Sequence, residues 1–349
     1  MHENVTAAPA GAGDQSGGRR HAVARVVLRI AQLHLDMRAI AGLGIDAPCM
    51  MSAGSTKFQH AAMLERGGCK RREWIVRTIF AACVVVGGSF AAISGAGAET
   101  ALERGTYLMK SIVDCGQCHT DSAPGSPELA GGKRFVDIAY TAYAPNITPD
   151  PATGTGNWTD DEIIGAIRDG KRPHGSTIGP PMPIRLYRGM SDDDARAIVA
   201  YLRSVKPVHN VVRKSLYRIE LPDSYGPPVG SVAAVSAADP VAYGRYLATA
   251  LGHCMECHST PGDNGPDLVG SLGAGGVEFR GPWGVSVSAN ITPNGIGFYS
   301  DDELATIITK GIRPDGTRLQ PPMPVASYAN MTDKDVTAII AYLRSLPKK

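Results

Sequence analysis

Aromatic side chains are scarce in this sequence. Phe, Trp and Tyr make up 6% of its 349 residues, against 41 Gly and 25 Pro. Small domains built this way are short of large core side chains and rich in loops, so a core completed by a buried cofactor fits the balance. An excess of one charge is missing as well. The formal net charge is +2, but from Glu99 onward 24 Lys+Arg face 27 Asp+Glu. The folded part therefore offers no basic footprint, which excludes nucleic-acid binding as an expectation. A hydrophobic content of 43% excludes general disorder.

A membrane-spanning run is lacking too. The one long apolar stretch, roughly Ile79 to Ile93, is interrupted by Gly87-Gly88 and falls short of the about 20 residues that a span needs. Lys70-Arg71-Arg72 stands before it and Ala96-Gly97-Ala98 after it. A basic head, an apolar middle and a small-residue cleavage site describe an export signal, expected over residues 63–98. Residues 1–62 then precede the natural start, which is expected at Met63. The sequence closes on Leu346-Pro347-Lys348-Lys349, without an apolar segment. Membrane association is thus expected only through a partner or an uncleaved signal, and the location is expected to be periplasmic.

Spare cysteines are absent from the exported part. Of seven cysteines, Cys49, Cys69 and Cys83 lie in or before the signal. The other four are Cys115, Cys118, Cys254 and Cys257, and each pair is followed by a histidine. Cys115-Gly116-Gln117-Cys118-His119 and Cys254-Met255-Glu256-Cys257-His258 both read C-x-x-C-H, the attachment signature of c-type haem. On one helical turn the two thiols reach the two vinyl groups of a porphyrin, and the next residue turns its imidazole to the iron. A thioredoxin-like pair would need a βαβ pattern around it, and none is present. A Cys₄ zinc site would need two pairs acting together, yet these lie 139 residues apart and both carry the His. Two haem c groups are expected, held by Cys115, Cys118, Cys254 and Cys257, with His119 and His258 as axial ligands.

The motifs sit in an internal repeat. Tyr107-Leu108 recurs as Tyr246-Leu247, and Asn146-Ile147-Thr148-Pro149 as Asn290-Ile291-Thr292-Pro293. From Thr159 onward the offset is a constant 141: Thr159-Asp160-Asp161-Glu162 matches Ser300-Asp301-Asp302-Glu303, Pro180-Pro181-Met182-Pro183 matches Pro321-Pro322-Met323-Pro324, and Tyr201-Leu202-Arg203-Ser204 matches Tyr342-Leu343-Arg344-Ser345. Domains are expected over 99–206 and 239–349, with a linker over 207–238. Thr159 with Glu162, and Ser300 with Glu303, predict capping boxes, and those helices end at Gly170 and Gly311. A last helix starts at Ser191 or Thr332. Its apolar face is Ile198, Val199 and Leu202, or Ile339, Ile340 and Leu343. The first helix is expected to run through Tyr107 or Tyr246 into the haem motif.

The sixth iron ligand has to come from the distal side. Six methionines follow Glu99, and the repeat matches only Met182 with Met323 and Met190 with Met331. Met190 and Met331 directly precede a helix N-cap, where a hydrophobic residue staples the entry. Met182 and Met323 stand between prolines, which restrict φ and hold a thioether with little entropy left to lose. They are the expected axial ligands. His174, His209 and His253 have no counterpart in the other unit. Asn146 and Asn290 suit either a propionate contact or an Asx-turn. The linker contains Pro207, Pro222, Pro227 and Pro228 with Arg213, Lys214 and Arg218. It reads as a spacer or a strap across the domain interface, and its basic cluster as a solvated strand.

The string C-x-x-C-H, Asn-Ile-Thr-Pro, Ser/Thr-Asp-Asp-Glu, Pro-Pro-Met-Pro and Ala-Tyr-Leu-Arg-Ser resembles the repeat of bacterial periplasmic cytochrome c subunits. Those subunits serve membrane-associated alcohol, gluconate and aldehyde or nicotinate-type molybdenum dehydrogenases. The resemblance implies a mainly α fold of two tandem class I-like cytochrome c domains, each with about three main helices and long loops around a haem. It also implies a function: single electrons taken from a periplasmic dehydrogenase catalytic subunit and passed to a respiratory acceptor, with no catalysis and no small-molecule substrate of the chain's own. Many alcohol and gluconate relatives carry three haem motifs where this chain has two. A dihaem peroxidase, or a thiosulfate-oxidising dihaem enzyme, is the rival reading. It would require an iron with an open distal side or an unusual ligand.

Overall fold

The computed structural model describes residues 99–262 and 265–349. The expected signal, and the segment ahead of it, lie outside the described residues. Thr100 opens the first unit as a helix cap. Its hydroxyl accepts from the Glu103 amide at 3.2 Å and the Glu103 carboxylate accepts from the Thr100 amide at 2.8 Å, heading helix α1 (Ala101–Lys110). Then come a one-turn helix α2 (Cys115–His119), an antiparallel hairpin of β1 (Arg134–Val136) and β2 (Tyr140–Tyr143), α3 (Asp160–Arg168), the short α4 (Ile184–Tyr187) and α5 (Asp192–Ser204). The linker contributes β3 (Leu216–Tyr217).

The second unit repeats this order. Helix α6 (Pro240–Tyr246) continues into a wider π-type turn, Leu247–Leu251, before α7 (Cys254–His258). Two minor strands, β4 (Pro261–Gly262) and β5 (Gly265–Pro266), follow, and then the hairpin β6 (Glu278–Gly281) with β7 (Gly284–Val287). The unit ends with α8 (Pro293–Ile296), α9 (Asp301–Lys310), α10 (Val325–Tyr328) and α11 (Asp333–Ser345). Both expected capping boxes form, at Thr159 and Ser300, and Gly170 and Gly311 take left-handed φ of 65° where their helices stop.

In each unit the first and last helices cross at a glycine. A Cβ on Gly105 would lie 1.9 Å from the Ala197 carbonyl oxygen, and one on Gly244 1.7 Å from that of Ala338. Only hydrogen at these positions lets the backbones meet. The expected apolar faces of α5 and α11 are buried there, as are Met190 and Met331.

Two expectations need correction. The first helix does not run into the haem motif: α1 stops at Lys110, and Asp114, left-handed at φ 39°, starts a separate turn. In the second unit His253 takes the same φ of 39°. The linker is not a free spacer, although its basic residues Arg213, Lys214 and Arg218 are solvent-exposed as expected. It is laid along the first unit, with Thr141 opposite Leu216 and Tyr140 opposite Tyr217. The Tyr217 hydroxyl donates to the Pro180 carbonyl at 3.0 Å and that of Tyr225 to Ile178 at 2.8 Å. Further along, Arg168 donates to the Gly230 carbonyl at 2.8 Å and Ser231 to Asp192 at 2.7 Å.

The two units join through reciprocal tyrosines. The Tyr107 hydroxyl accepts from the Thr332 amide at 3.1 Å and donates to Asp335 at 2.6 Å. Tyr246 does the same at the other unit's cap, accepting from the Ser191 amide at 3.1 Å and donating to Asp194 at 2.6 Å.

Candidate functional site

Each C-x-x-C-H motif occupies its own helical turn. Asp114 caps α2 by accepting from the Gln117 amide at 3.2 Å. Behind the turn the Gly131 amide donates to the His119 carbonyl at 2.7 Å, and the Gly275 amide to the His258 carbonyl at 2.8 Å. The imidazoles are then fixed by backbone. His119 Nδ1 lies 2.8 Å from the Pro145 carbonyl oxygen, and His258 Nδ1 lies 2.7 Å from that of Ala289. A carbonyl only accepts, so Nδ1 carries the proton and Nε2 keeps its lone pair for a metal. Burial lowers the pKa of both rings, which holds them neutral as ligation requires.

The carbonyls that orient the rings belong to the recurring Asn-Ile-Thr-Pro loops. Asn146 Oδ1 accepts from the Thr148 amide at 3.0 Å, and Asn290 Oδ1 from the Thr292 amide at 2.8 Å. Their amide groups tie outward, to the Val208 carbonyl at 2.7 Å and the Lys349 carbonyl at 2.9 Å. Of the two open readings, the Asx-turn is the one formed. Its consequence is to hold the preceding residue, Pro145 or Ala289, against the histidine.

No disulfide joins the four motif cysteines. Burial pushes Cys115 up to about 12, Cys254 to about 11 and Cys257 to about 12. A redox C-x-x-C pair depends on the opposite shift, toward thiolate. Among the described residues no three His, Cys, Asp or Glu side chains converge in a metal-binding group, so the two pairs do not build a shared zinc site.

The two repeated methionine pairs separate by burial. Met190 and Met331 are core residues, whereas Met182 and Met323 are half-buried at the margin of the core cluster that Cys115 and Cys254 also border. The Met182 carbonyl accepts from the Ile184 amide at 2.9 Å, and the Met323 carbonyl from the Val325 amide at 2.9 Å. The other described histidines are engaged elsewhere. His174 bonds Ser176 at 2.8 Å, His209 lies 3.6 Å from Asp150, and His253 meets the Tyr187 ring edge-on at 5.8 Å.

Sequence reasoning missed three groups beside these motifs. Tyr187 and Tyr328 are buried next to the motif cysteines, and burial raises their hydroxyl pKa well above normal. Tyr107 and Tyr246 join the units, and the Gln117 side chain reaches the other unit's methionine loop. Both tyrosine pairs recur in the repeat, so the signal was present; Gln117 does not recur. Two thiols on one turn and an imidazole offering Nε2 fit the attachment of a c-type haem in each unit.

Comparison with known proteins agrees. A family model described as cytochrome c matches residues 102–206, and one described as cytochrome c oxidase, cbb3-type, subunit III matches residues 239–343. The chain is 34% identical over 282 residues, 74% of its length, to the cytochrome c subunit of a quinone alcohol dehydrogenase of Gluconobacter oxydans, covering 58% of that protein. It is 34% identical over 289 residues, 75% of its length, to the gluconate 2-dehydrogenase cytochrome c subunit of Pantoea cypripedii, covering 63% of it. The chain thus spans about three-fifths of the length of these two relatives. Against a diheme cytochrome c-type protein of Cereibacter sphaeroides it is 30% identical over 248 residues, 67% of its length and 82% of the relative's.

Proposed function

We propose a single-electron carrier role for this chain, which belongs to the dihaem c-type cytochrome family and carries two haem c groups. In this reading Cys115 and Cys118 hold one haem by thioethers and Cys254 and Cys257 the other. His119 and His258 give Nε2 to the irons, and Met182 and Met323 give their thioethers on the opposite side. An iron closed by His and Met suits one-electron transfer with little change of geometry, and the thioether favours Fe(II). The observation that carries the reading is the carbonyl-fixed imidazole on a C-x-x-C-H turn, built the same way twice. The chain's own residues orient the ligands and restrict the methionine loops, leaving no place assigned to a small-molecule substrate.

The donor in this proposal is the catalytic subunit of a periplasmic dehydrogenase, and the acceptor a downstream component of the respiratory chain. The relatives named as dehydrogenase cytochrome subunits support the donor class. Among the described residues no helix is long and apolar enough to cross a membrane. Spectroelectrochemical titration of Met182→Ala and Met323→Ala variants tests the ligand set. Each variant should lose the Met–ferric-iron charge-transfer band of one haem and lower that haem's potential. An unchanged band in both, or peroxide turnover by the wild-type protein alone, would defeat the carrier reading in favour of a dihaem enzyme.

A further inference from the structure

Each methionine loop takes a bond from outside its own unit, and from different parts of the chain; the Met323 loop is also held within its unit, where the Ser286 hydroxyl donates to the Pro321 carbonyl at 2.7 Å. The loop leading to Met182 is held by the linker, through Tyr217 and Tyr225. The loop leading to Met323 is held by the first unit's haem-motif turn. Gln117, a variable residue of that motif, donates from Nε2 to the Pro322 carbonyl at 2.9 Å. Pro322 is the residue directly before Met323.

This bond ends a ladder of rungs between the units. The Thr332 amide donates to the Tyr107 hydroxyl at 3.1 Å, and Asn330 Nδ2 donates to the Lys110 carbonyl at 2.9 Å. The Ser327 hydroxyl donates to the Asp114 carboxylate, and Gln117 closes on Pro322. Positions 107, 110, 114 and 117 ascend in steps of three and four while their partners descend from 332 to 322. The whole segment after Met323 is thereby registered against the first haem motif.

The reverse side is built otherwise. Glu256 occupies the place of Gln117 in the second motif, its side chain has no N–H to give a carbonyl, and among the described residues it makes no hydrogen bond to the Met182 loop. Where the other rungs of the ladder stand, the reverse side has an apolar and an aromatic contact: Gly189 lies under the Ala250 methyl group, and Tyr187 meets His253. We propose that Gln117 is a positioning residue for Met323, so that retention of the methionine in the second unit depends on the haem-motif turn of the first. The inference rests on the ligand reading above.

Imidazole, which displaces a thioether from ferric iron, tests it on the dihaem protein. In a Met182→Ala background the charge-transfer band reports Met323 alone; in a Met323→Ala background it reports Met182 alone. Gln117→Glu is isosteric and removes the N–H, and Gln117→Met removes it without adding charge. With either change the imidazole midpoint for Met323 should fall about fivefold, the effect of one hydrogen bond, while that for Met182 moves by less than about twofold. A Met323 midpoint that stays put with both substitutions overturns the proposal, as do equal shifts for the two methionines. A wild-type band that neither Met→Ala change diminishes overturns the ligand reading, and this inference with it.

Discussion

Gly105 and Gly244 show how much one hydrogen atom decides. A methyl group at either position would stand within 2 Å of a carbonyl oxygen on the crossing helix, at 1.9 and 1.7 Å. Backbone cannot rotate away as a side chain can, so the helices must separate. Overpacking of this kind costs about 1–3 kcal/mol, more than the gain of up to about 1 kcal/mol from replacing a helical glycine by alanine. Gly165, inside α3, has nothing within 4 Å of a Cβ and no positive φ. Urea titration of the holoprotein should therefore separate the three substitutions by sign. Gly105→Ala and Gly244→Ala should lower stability, and Gly165→Ala should raise it by up to about 1 kcal/mol. The recurrence of Gly-x-Tyr before both haem motifs is visible in the sequence. That the glycine faces a carbonyl is not, because the crossing is made by residues more than ninety positions away.

The linker is the element whose behaviour the sequence concealed. The ends of the two repeats marked its limits, but its bonds to the first unit run largely through backbone: the carbonyls of Pro180 and Ile178 on that unit and of Gly230 on the linker. Composition carries no record of which carbonyl a tyrosine will meet. The capped helices were legible by contrast, since each cap is decided within four residues. The far end of the linker is gathered on Asp192. The Ser231 hydroxyl, then the Arg168 guanidinium and the Val232 amide, hold its carboxyl well below the usual carboxylate range. A pKa depressed on folding stabilises the fold fully above the unfolded value of about 3.9, and that contribution drains away as pH falls further. Hydrogen exchange in residues 229–232, corrected for intrinsic rates, should lose protection as pH drops below about 4. Asp192→Asn should show the loosened state already at neutral pH. Equal protection in the variant and the parent at neutral pH would show that Asp192 does not anchor the strap.

Across the whole molecule, the two units are alike in the residues proposed as ligands and unlike in what surrounds them. Their joint is the clearest case. Tyr107 and Tyr246 perform one task in opposite directions, each hydroxyl serving a cap amide and a buried aspartate of the other unit. The aspartates are not equivalent. Asp194 also receives Arg104, at 2.7 and 3.2 Å, whereas Tyr107 is the one side chain among the described residues that donates to Asp335. Both carboxylates are buried, 6% and 4% exposed. Removing the hydroxyl at 107 therefore leaves a buried charge without its side-chain donor, and removing it at 246 leaves one that keeps its ion pair. A hydrogen bond to a charged group contributes about 1.5–3 kcal/mol, and an abandoned buried charge costs the most. Tyr107→Phe should accordingly destabilise the holoprotein by about 2–3 kcal/mol and Tyr246→Phe by about 1 kcal/mol, read by urea titration. The order of the two matters more than their sizes. If Arg104→Met made the change at 246 as damaging as the change at 107, the ion pair would be identified as the difference. If the two tyrosines stayed equal with Arg104 in place, the asymmetry of the joint would have no energetic meaning.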